Sequence, residues 1–316
     1  MVILANDGIS TAALEALENE GFRVINTRVA QQQLIPFIQE HEVSALLVRS
    51  ATQVGRDVID ACPGLKLIGR AGVGVDNIDV GYARKKGLHV VNTPEASSDS
   101  VAELVFAHLY GGARFLHEAN RNMPLEGDLH FNALKKSFQG GTELRGKTLG
   151  IIGFGRIGKA VARIALGAGM KVVFADRNAS EERIRLEFYD GQSVEFTLHP
   201  SSMEQLLSTS DFVTLHVPSQ EDPVIGQKEL RMMKEGAALV NTSRGGVIDE
   251  VALVEALDAG KIRFAGLDVF ASEPRPEVQL LMHPRLSLTP HIGASTLEAQ
   301  ERIGKELAAQ VIALLK

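Results

Sequence analysis

Short apolar runs alternate with helical patterns along nearly the whole of this chain, and that alternation leaves few folds open. Residues 2–5 read as a strand, and Ser10 caps a helix over 11–20 that stops at Gly21. Strands over 22–26, 45–48, 66–70 and 89–92 follow, with a helix around 34–40. Strands alternating with helices at this spacing make βαβ units around a parallel sheet. A long helix is expected over 99–120, with Ser98 or Asp99 at its N-cap and Val101, Leu104, Val105, His108 and Leu109 on its apolar face. After it, 122–143 is polar and without periodicity, a length of loop that usually serves an interface or a lid. Residues 146–152 then open a second α/β series, with strands over 171–175, 212–217, 237–242, 264–269 and 286–289. An amphipathic helix over 295–315 closes the chain. No repeat and no low-complexity segment interrupts this order.

A length of 316 residues is enough for two domains, each with its own core. With 45% hydrophobic and 23% charged residues the chain is of the globular class. Its net charge of −6, with both signs interspersed, gives no long-range attraction for nucleic acid or an anionic membrane. The single cysteine, Cys62, excludes an intrachain disulfide, reads as a small buried apolar residue and fits a reducing cytoplasm. The start, Met1 to Asp7, has no positive charge ahead of its apolar residues, so it reads as a strand and not a signal peptide. No apolar run approaches the ~18 residues needed to span a bilayer. The expectation is a soluble, cytoplasmic protein.

Two glycine-rich segments differ in grammar. Gly153-Phe154-Gly155-Arg156-Ile157-Gly158 follows an apolar strand and opens a helix over 156–168. In that order the first glycine permits a tight turn, the second lets a pyrophosphate approach the backbone, and the third lets helix and strand pack closely. The helix N-terminus adds oriented N–H groups and partial positive charge. Asp176, at the end of the next strand and 18 residues after Gly158, suits the ribose hydroxyls and repels a 2′-phosphate. This favours NAD over NADP, with Arg177 as the one feature that softens the preference. The upstream Gly69-Arg70-Ala71-Gly72-Val73-Gly74 reverses the glycine order, and no good helix follows at once. It reads as a loop that comes close to something, with the Val73 and Gly74 amides offered to an anion; a plain strand-to-helix turn is the other reading.

Three apolar runs in the second half end in Arg244, Glu273 and His291. Ligands of open α/β sheets bind beyond the carboxyl ends of the strands, where all three fall. A guanidinium suits a carboxylate, an imidazole exchanges a proton near neutral pH, and a carboxylate beside it fixes the tautomer. Taken singly, each is as well explained as a loop or surface residue. The remaining histidines show no metal-ligand spacing, so no metal is expected. His216 reads as a cofactor-side wall.

These segments, with 48–52, 101–104, 241–249, 267–274 and 290–296, resemble the D-isomer-specific 2-hydroxyacid dehydrogenases over nearly the whole chain. The resemblance implies two doubly wound parallel-sheet domains: a flavodoxin-like substrate domain (1–98 plus 292–316) and a Rossmann NAD-binding domain (99–291). It implies His291 as acid/base, Glu273 as its paired carboxylate and Arg244 as the substrate-orienting cation. Gly153, Gly155, Arg156, Ile157, Gly158, Asp176, His216, Val217, Pro218 and Thr242 would hold the cofactor, with Asp268 on the nicotinamide carboxamide. Val73 and Gly74 would donate to the substrate carboxylate. Arg49, Arg70 and Lys135 (or Lys136) would meet a phosphate, which points to a phosphorylated 2-hydroxy acid, 3-phospho-D-glycerate. Ser97 stands where that branch tends to have asparagine, shortening one contact. The family also implies a homodimer joined through the NAD-binding domain, in the stretch after Asn120. The chain stops after its last core helix, so a C-terminal regulatory domain is not expected. Alternatives are a glyoxylate/hydroxypyruvate reductase, another D-2-hydroxyacid dehydrogenase or, more distantly, an NAD-sensing corepressor-like scaffold. The arginine pair and the absence of an appended tail favour the enzyme.

Overall fold

A computed structural model describes residues 1–178 and 180–316. By its internal contacts the chain forms two compact units, Met1–Ser100 with Ala294–Lys316, and Val101–Gly293. The first carries β1 (Val2–Ala5), α1 (Thr11–Asn19), β2 (Arg23–Ile25), α2 (Leu34–Glu40), β3 (Val43–Val48), α3 (Arg56–Ala61), β4 (Leu67–Arg70), α4 (Val80–Lys85) and β5 (His89–Asn92). Its parallel sheet runs β2-β1-β3-β4-β5, the flavodoxin-like order. Strand side chains alternate between two cores as the pleat requires. Ile3, Ala5 and Leu47 pack with Ile303, Leu307 and Val311 of the closing helix, Leu297–Leu315. Leu4, Leu46 and Val48 pack with Leu34, Ile38 and Val58 on the other face. The closing helix sits so near the sheet that a Cβ at Gly69 would lie 2.7 Å from Leu47 Cδ2 and 3.0 Å from Leu307 Cδ1. Helices α3 and α4 were not expected, because six residues are too few to show a helical period.

The second unit follows with α5 (Ser98–Ala113), α6 (Leu116–Glu126), α7 (Phe131–Ser137), β6 (Thr148–Ile152), α8 (Arg156–Gly167), β7 (Lys171–Ala175), β8 (Glu182–Glu187) and β9 (Ser193–Leu198). Then come α9 (Met203–Thr209), β10 (Phe212–Leu215), α10 (Gln227–Met232), β11 (Ala237–Asn241), α11 (Glu250–Asp258), β12 (Ile262–Leu267), α12 (Val278–Met282) and β13 (Leu286–Leu288). The closing helix is α13. The six-stranded parallel sheet runs β13-β12-β11-β10-β6-β7, so the chain order reverses between β6 and β10. Ligands of such sheets bind beyond the strand ends at that switch point. Leu149, Ile151 and Phe174 pack with Val105, Leu109 and Phe264 on one face, and Leu215, Leu239 and Leu267 with Leu253 and Leu257 on the other.

Three expectations are corrected here. The helix over 99–120 is two helices, broken at Phe115, which takes a left-handed backbone (φ 56°). Arg263 explains the break. Its guanidinium takes the Ala113 carbonyl at 3.1 Å and the Gly140 carbonyl at 3.3 Å, and lies 5.4 Å from the centre of the Phe115 ring. Second, the aperiodic stretch 122–143 holds the end of α6 and all of α7. Third, an antiparallel hairpin, β8–β9, was not expected in the crossover after β7; Ile184 anchors it in the core and Lys159 binds Glu182 at 2.8 Å. No helix among the described residues is long and apolar enough to cross a membrane.

Candidate active site

The turn between β6 and α8 separates glycines that packing demands from one that it does not. Gly153 has φ 88°, and a Cβ there would lie 2.4 Å from the His216 carbonyl oxygen. At Gly158 it would lie 2.3 Å from the Gly153 carbonyl oxygen. Gly155 has ordinary extended backbone, and nothing stands within 4 Å of the Cβ it lacks. Nothing within the protein requires glycine at 155, and this point of the turn is open to a ligand. The first turn of α8, which includes Arg156 and Ile157, directs its amide N–H groups out of the helix end. Asp176 leaves β7 with its carboxylate accepting from the Asn178 amide at 3.0 Å and the Phe154 amide at 2.8 Å. Those bonds hold its pKa below the usual range, so it is an anion with lone pairs to spare. His216, Val217 and Pro218 leave β10 against Gly153, with Val217 Cγ1 3.1 Å from the missing Cβ. The His216 ring contacts Thr214 Oγ1 at 3.1 Å, and desolvation pushes its pKa down to about 3. A ring that stays neutral is a wall and no acid. The Thr242 hydroxyl is buried without a hydrogen-bond partner. An open glycine, an anion with lone pairs to spare and an orphaned hydroxyl fit a dinucleotide.

His291 and Glu273, far apart in sequence, meet. Glu273 Oε2 accepts from His291 Nδ1 at 2.8 Å, with both side chains partly exposed. That bond leaves Nε2 as the nitrogen that exchanges a proton with a ligand. The backbone at His291 is left-handed (φ 55°), and its amide donates to the Asp268 carbonyl at 2.8 Å. Glu273 Oε1 accepts from the Phe270 amide at 3.0 Å. Arg244 sits on the turn after β11. Asn241 shapes that turn, donating to the Arg244 carbonyl at 2.8 Å and accepting from the Ser243 amide at 3.0 Å. The guanidinium of Arg244 donates to the Ser243 carbonyl at 2.6 Å. A Cβ at Gly245 would lie 1.9 Å from the Phe270 carbonyl oxygen, so the Arg244 and Glu273 turns touch backbone to backbone. Glu250 ties them further, accepting from the Ala271 amide at 2.7 Å.

The five-stranded unit presents its own edge. Arg70 ends β4 in register with Val48 of β3, one residue before Arg49. The two arginines therefore leave neighbouring strands at the same end. Asp7 holds the loop after β3, its carboxylate accepting from the Arg49 amide at 2.7 Å and the Thr52 amide at 3.2 Å. Asn77 donates to the Arg49 carbonyl at 2.8 Å and the Thr52 carbonyl at 2.6 Å. Arg70 lies over Gly72, where a Cβ would come 1.6 Å from Nη1. Asn92 donates to the Val73 carbonyl at 2.6 Å, and among the described residues the Val73 and Gly74 amides donate no hydrogen bond. Ser97 is buried with its hydroxyl unpartnered. Lys135 is exposed in the last turn of α7 and belongs to the other unit from Arg49 and Arg70. Asp268, assigned by sequence to the carboxamide, also accepts from Thr289 Oγ1 at 2.6 Å and the Ile292 and Gly293 amides at 2.8 and 2.9 Å. Thr289, Glu250 and Asn241 were missed as residues that shape the site: Glu250 and Asn241 hold backbone turns, and Thr289 bonds the Asp268 carboxylate. Among the described residues no group of three or more His, Cys, Asp or Glu side chains is placed to hold a metal ion.

Comparison with known proteins places this geometry. Residues 106–293 match the model described as "D-isomer specific 2-hydroxyacid dehydrogenase, NAD binding domain". The chain is 42% identical to the hydroxypyruvate reductase of Thermotoga maritima, covering 97% of this chain and 95% of that protein. It is also 42% identical to the D-3-phosphoglycerate dehydrogenase of Methanocaldococcus jannaschii, over 99% of this chain but only 57% of that protein's length. Among solved structures, a glyoxylate reductase from Paecilomyes thermophila superposes with a TM-score of 0.82 at 30% identity, covering 98% of this chain and 94% of that one.

Proposed function

The chain belongs to the D-isomer specific 2-hydroxyacid dehydrogenase family, and from that premise we propose that it is a D-3-phosphoglycerate dehydrogenase. It is an NAD(P)-dependent D-2-hydroxyacid dehydrogenase with an NAD-binding domain. The proposed reaction oxidises 3-phospho-D-glycerate at C2 to 3-phosphohydroxypyruvate, the first step of serine biosynthesis. The observation that carries the substrate is the pair Arg49 and Arg70, side by side at the ends of β3 and β4. Guanidinium groups match phosphate in geometry and charge.

His291 Nε2 takes the C2 hydroxyl proton as the C2 hydrogen departs with its electron pair. When bound, NAD supplies the acceptor for that hydride. Glu273, bonded to Nδ1, orients the ring and stabilises the imidazolium. Arg244 holds the substrate carboxylate and polarises the C2 oxygen, with the Val73 and Gly74 amides as further donors. Asp176 favours NAD over NADP, since a 2′-phosphate would meet a carboxylate. The exposed Leu116, Met123, Leu125, Leu129 and Phe131 along α6 and α7 support a homodimer through this arm.

A glyoxylate/hydroxypyruvate reductase is the second reading, favoured by the match over 95% of the Thermotoga maritima protein. Steady-state kinetics with NAD on 3-phospho-D-glycerate, D-glycerate and D-lactate separates the two. The phosphorylated acid is expected to give the highest kcat/KM, and a higher value for D-glycerate would overturn the phosphate assignment.

A further inference from the structure

Behind the His291 turn runs a buried line of polar side chains that begins on a different element. His108 projects from α5 and is 2% exposed. Its Nδ1 lies 2.8 Å from Ser287 Oγ and its Nε2 lies 3.2 Å from Thr289 Oγ1. Thr289 Oγ1 stands 2.6 Å from Asp268 Oδ1. A hydroxyl facing a carboxylate donates to it, so Thr289 has a lone pair left for a donor on its other side. His108 must then carry its proton on Nε2 and accept at Nδ1 from Ser287. Burial lowers the His108 pKa to about 4, which keeps the ring neutral, while the hydrogen bonds select this tautomer. Each bond therefore has one direction: Ser287 to His108, His108 to Thr289, Thr289 to Asp268.

Asp268 spends its remaining bonds on the turn. Its oxygens accept from the Ile292 and Gly293 amides, directly after His291. The carbonyl of Asp268 accepts from the His291 amide itself. His291 is held in a left-handed backbone that a side chain rarely adopts, a conformation that persists where its surroundings fix it. Gly266, next to last in β12, lets α5 bring His108 this close to the strand: a Cβ there would lie 2.6 Å from His108 Cβ and 3.1 Å from Nδ1. An apolar residue at 108 would leave Thr289 without its donor.

We propose that His108 is a positioning residue for hydride transfer, holding the His291 turn in place through Thr289 and Asp268. This rests on the reading of His291 as the acid/base. The test compares His108→Leu, His108→Gln, Thr289→Val and the double variant His108→Leu/Thr289→Val, with His291→Asn as reference. It reads kcat, KM for the hydroxy acid and thermal melting in the NAD-linked assay. His108→Leu and Thr289→Val are each expected to lower kcat about tenfold, with KM for the acid within about twofold, because misplacement costs the chemical step more than binding. The double variant should fall no further than the worse single, since both break one relay. His108→Gln should recover kcat to within about threefold, its amide nitrogen donating where Nε2 did. A kcat in folded His108→Leu within about twofold of the parent overturns the proposal, and so do losses that multiply in the double variant. Should His108→Leu fail to fold, a folded Thr289→Val with unchanged kcat overturns it equally. An unchanged kcat in His291→Asn instead overturns the acid/base reading itself, whatever the His108 variants do.

Discussion

At the carboxyl end of the six-stranded sheet the proposed catalytic pair, His291 and Glu273, is bound side chain to side chain. At the edge of the five-stranded sheet the loops are bound through their backbones. Glu273 holds the His291 ring, and Asp268 holds the amides that follow it. In the other unit Asp7 and Asn77 grip amides and carbonyls around Arg49, and Asn92 grips the Val73 carbonyl. The difference assigns different tolerances to the two regions. A side chain wired to its neighbours cannot be exchanged without disturbing them. A side chain carried on a loop that other residues shape can be exchanged, and with it the ligand that the loop recognises. Under the proposed function, the reaction belongs to the first region and the choice among acids to the second.

The largest effect should come from the wired edge. His291→Asn is expected to lower kcat by roughly 10²- to 10⁴-fold, the usual contribution of a general acid/base. It should do so to a similar degree for a phosphorylated and an unphosphorylated acid, as stopped-flow NADH formation would report. A loss confined to one of the two acids would break the division between reaction and substrate.

A smaller effect concerns stability. Three histidines have depressed pKa values, His108 at about 4, His216 at about 3 and His117, and all belong to the unit 101–293. A buried histidine takes up its proton more readily when unfolded, where its ordinary value is 6.5. The stability it contributes is therefore complete above pH 6.5 and is lost as pH falls toward 4. For His108 alone the loss is of order 3 kcal/mol. Hydrogen exchange at pH 7 and at pH 4.5 should show protection falling in the 101–293 unit, with a shallower fall in His108→Gln. An equal slope in that variant would contradict the assignment.

Much of this was legible in the sequence, for a physical reason. Both sheets announce themselves because a buried parallel strand is a short apolar run, and the fingerprint turn because Gly153 and Gly158 answer separate steric demands. Arg244, Glu273 and His291 were visible as polar ends of such runs. The break at Phe115 was not, since Arg263, which takes the Ala113 carbonyl, lies 150 residues away in the chain. Nor was the His108 relay: a histidine on an apolar helix face reads as core, and Thr289 lies 181 residues further on. The β8–β9 hairpin did leave a signal. Ile184 and Leu186, then Val194, Phe196 and Leu198, alternate with polar residues about Asp190-Gly191. That signal lay in a stretch to which no element was assigned.

The division between reaction and substrate is tested most directly by the ratio of kcat/KM for 3-phospho-D-glycerate to that for D-glycerate, measured with NAD in the parent and in Arg49→Gln. Removing a charge-assisted contact to phosphate should reduce the ratio by about tenfold or more, while rates on D-glycerate stay within about threefold. A ratio that does not move in Arg49→Gln would contradict the account, and the five-stranded edge would then have no part in choosing the acid.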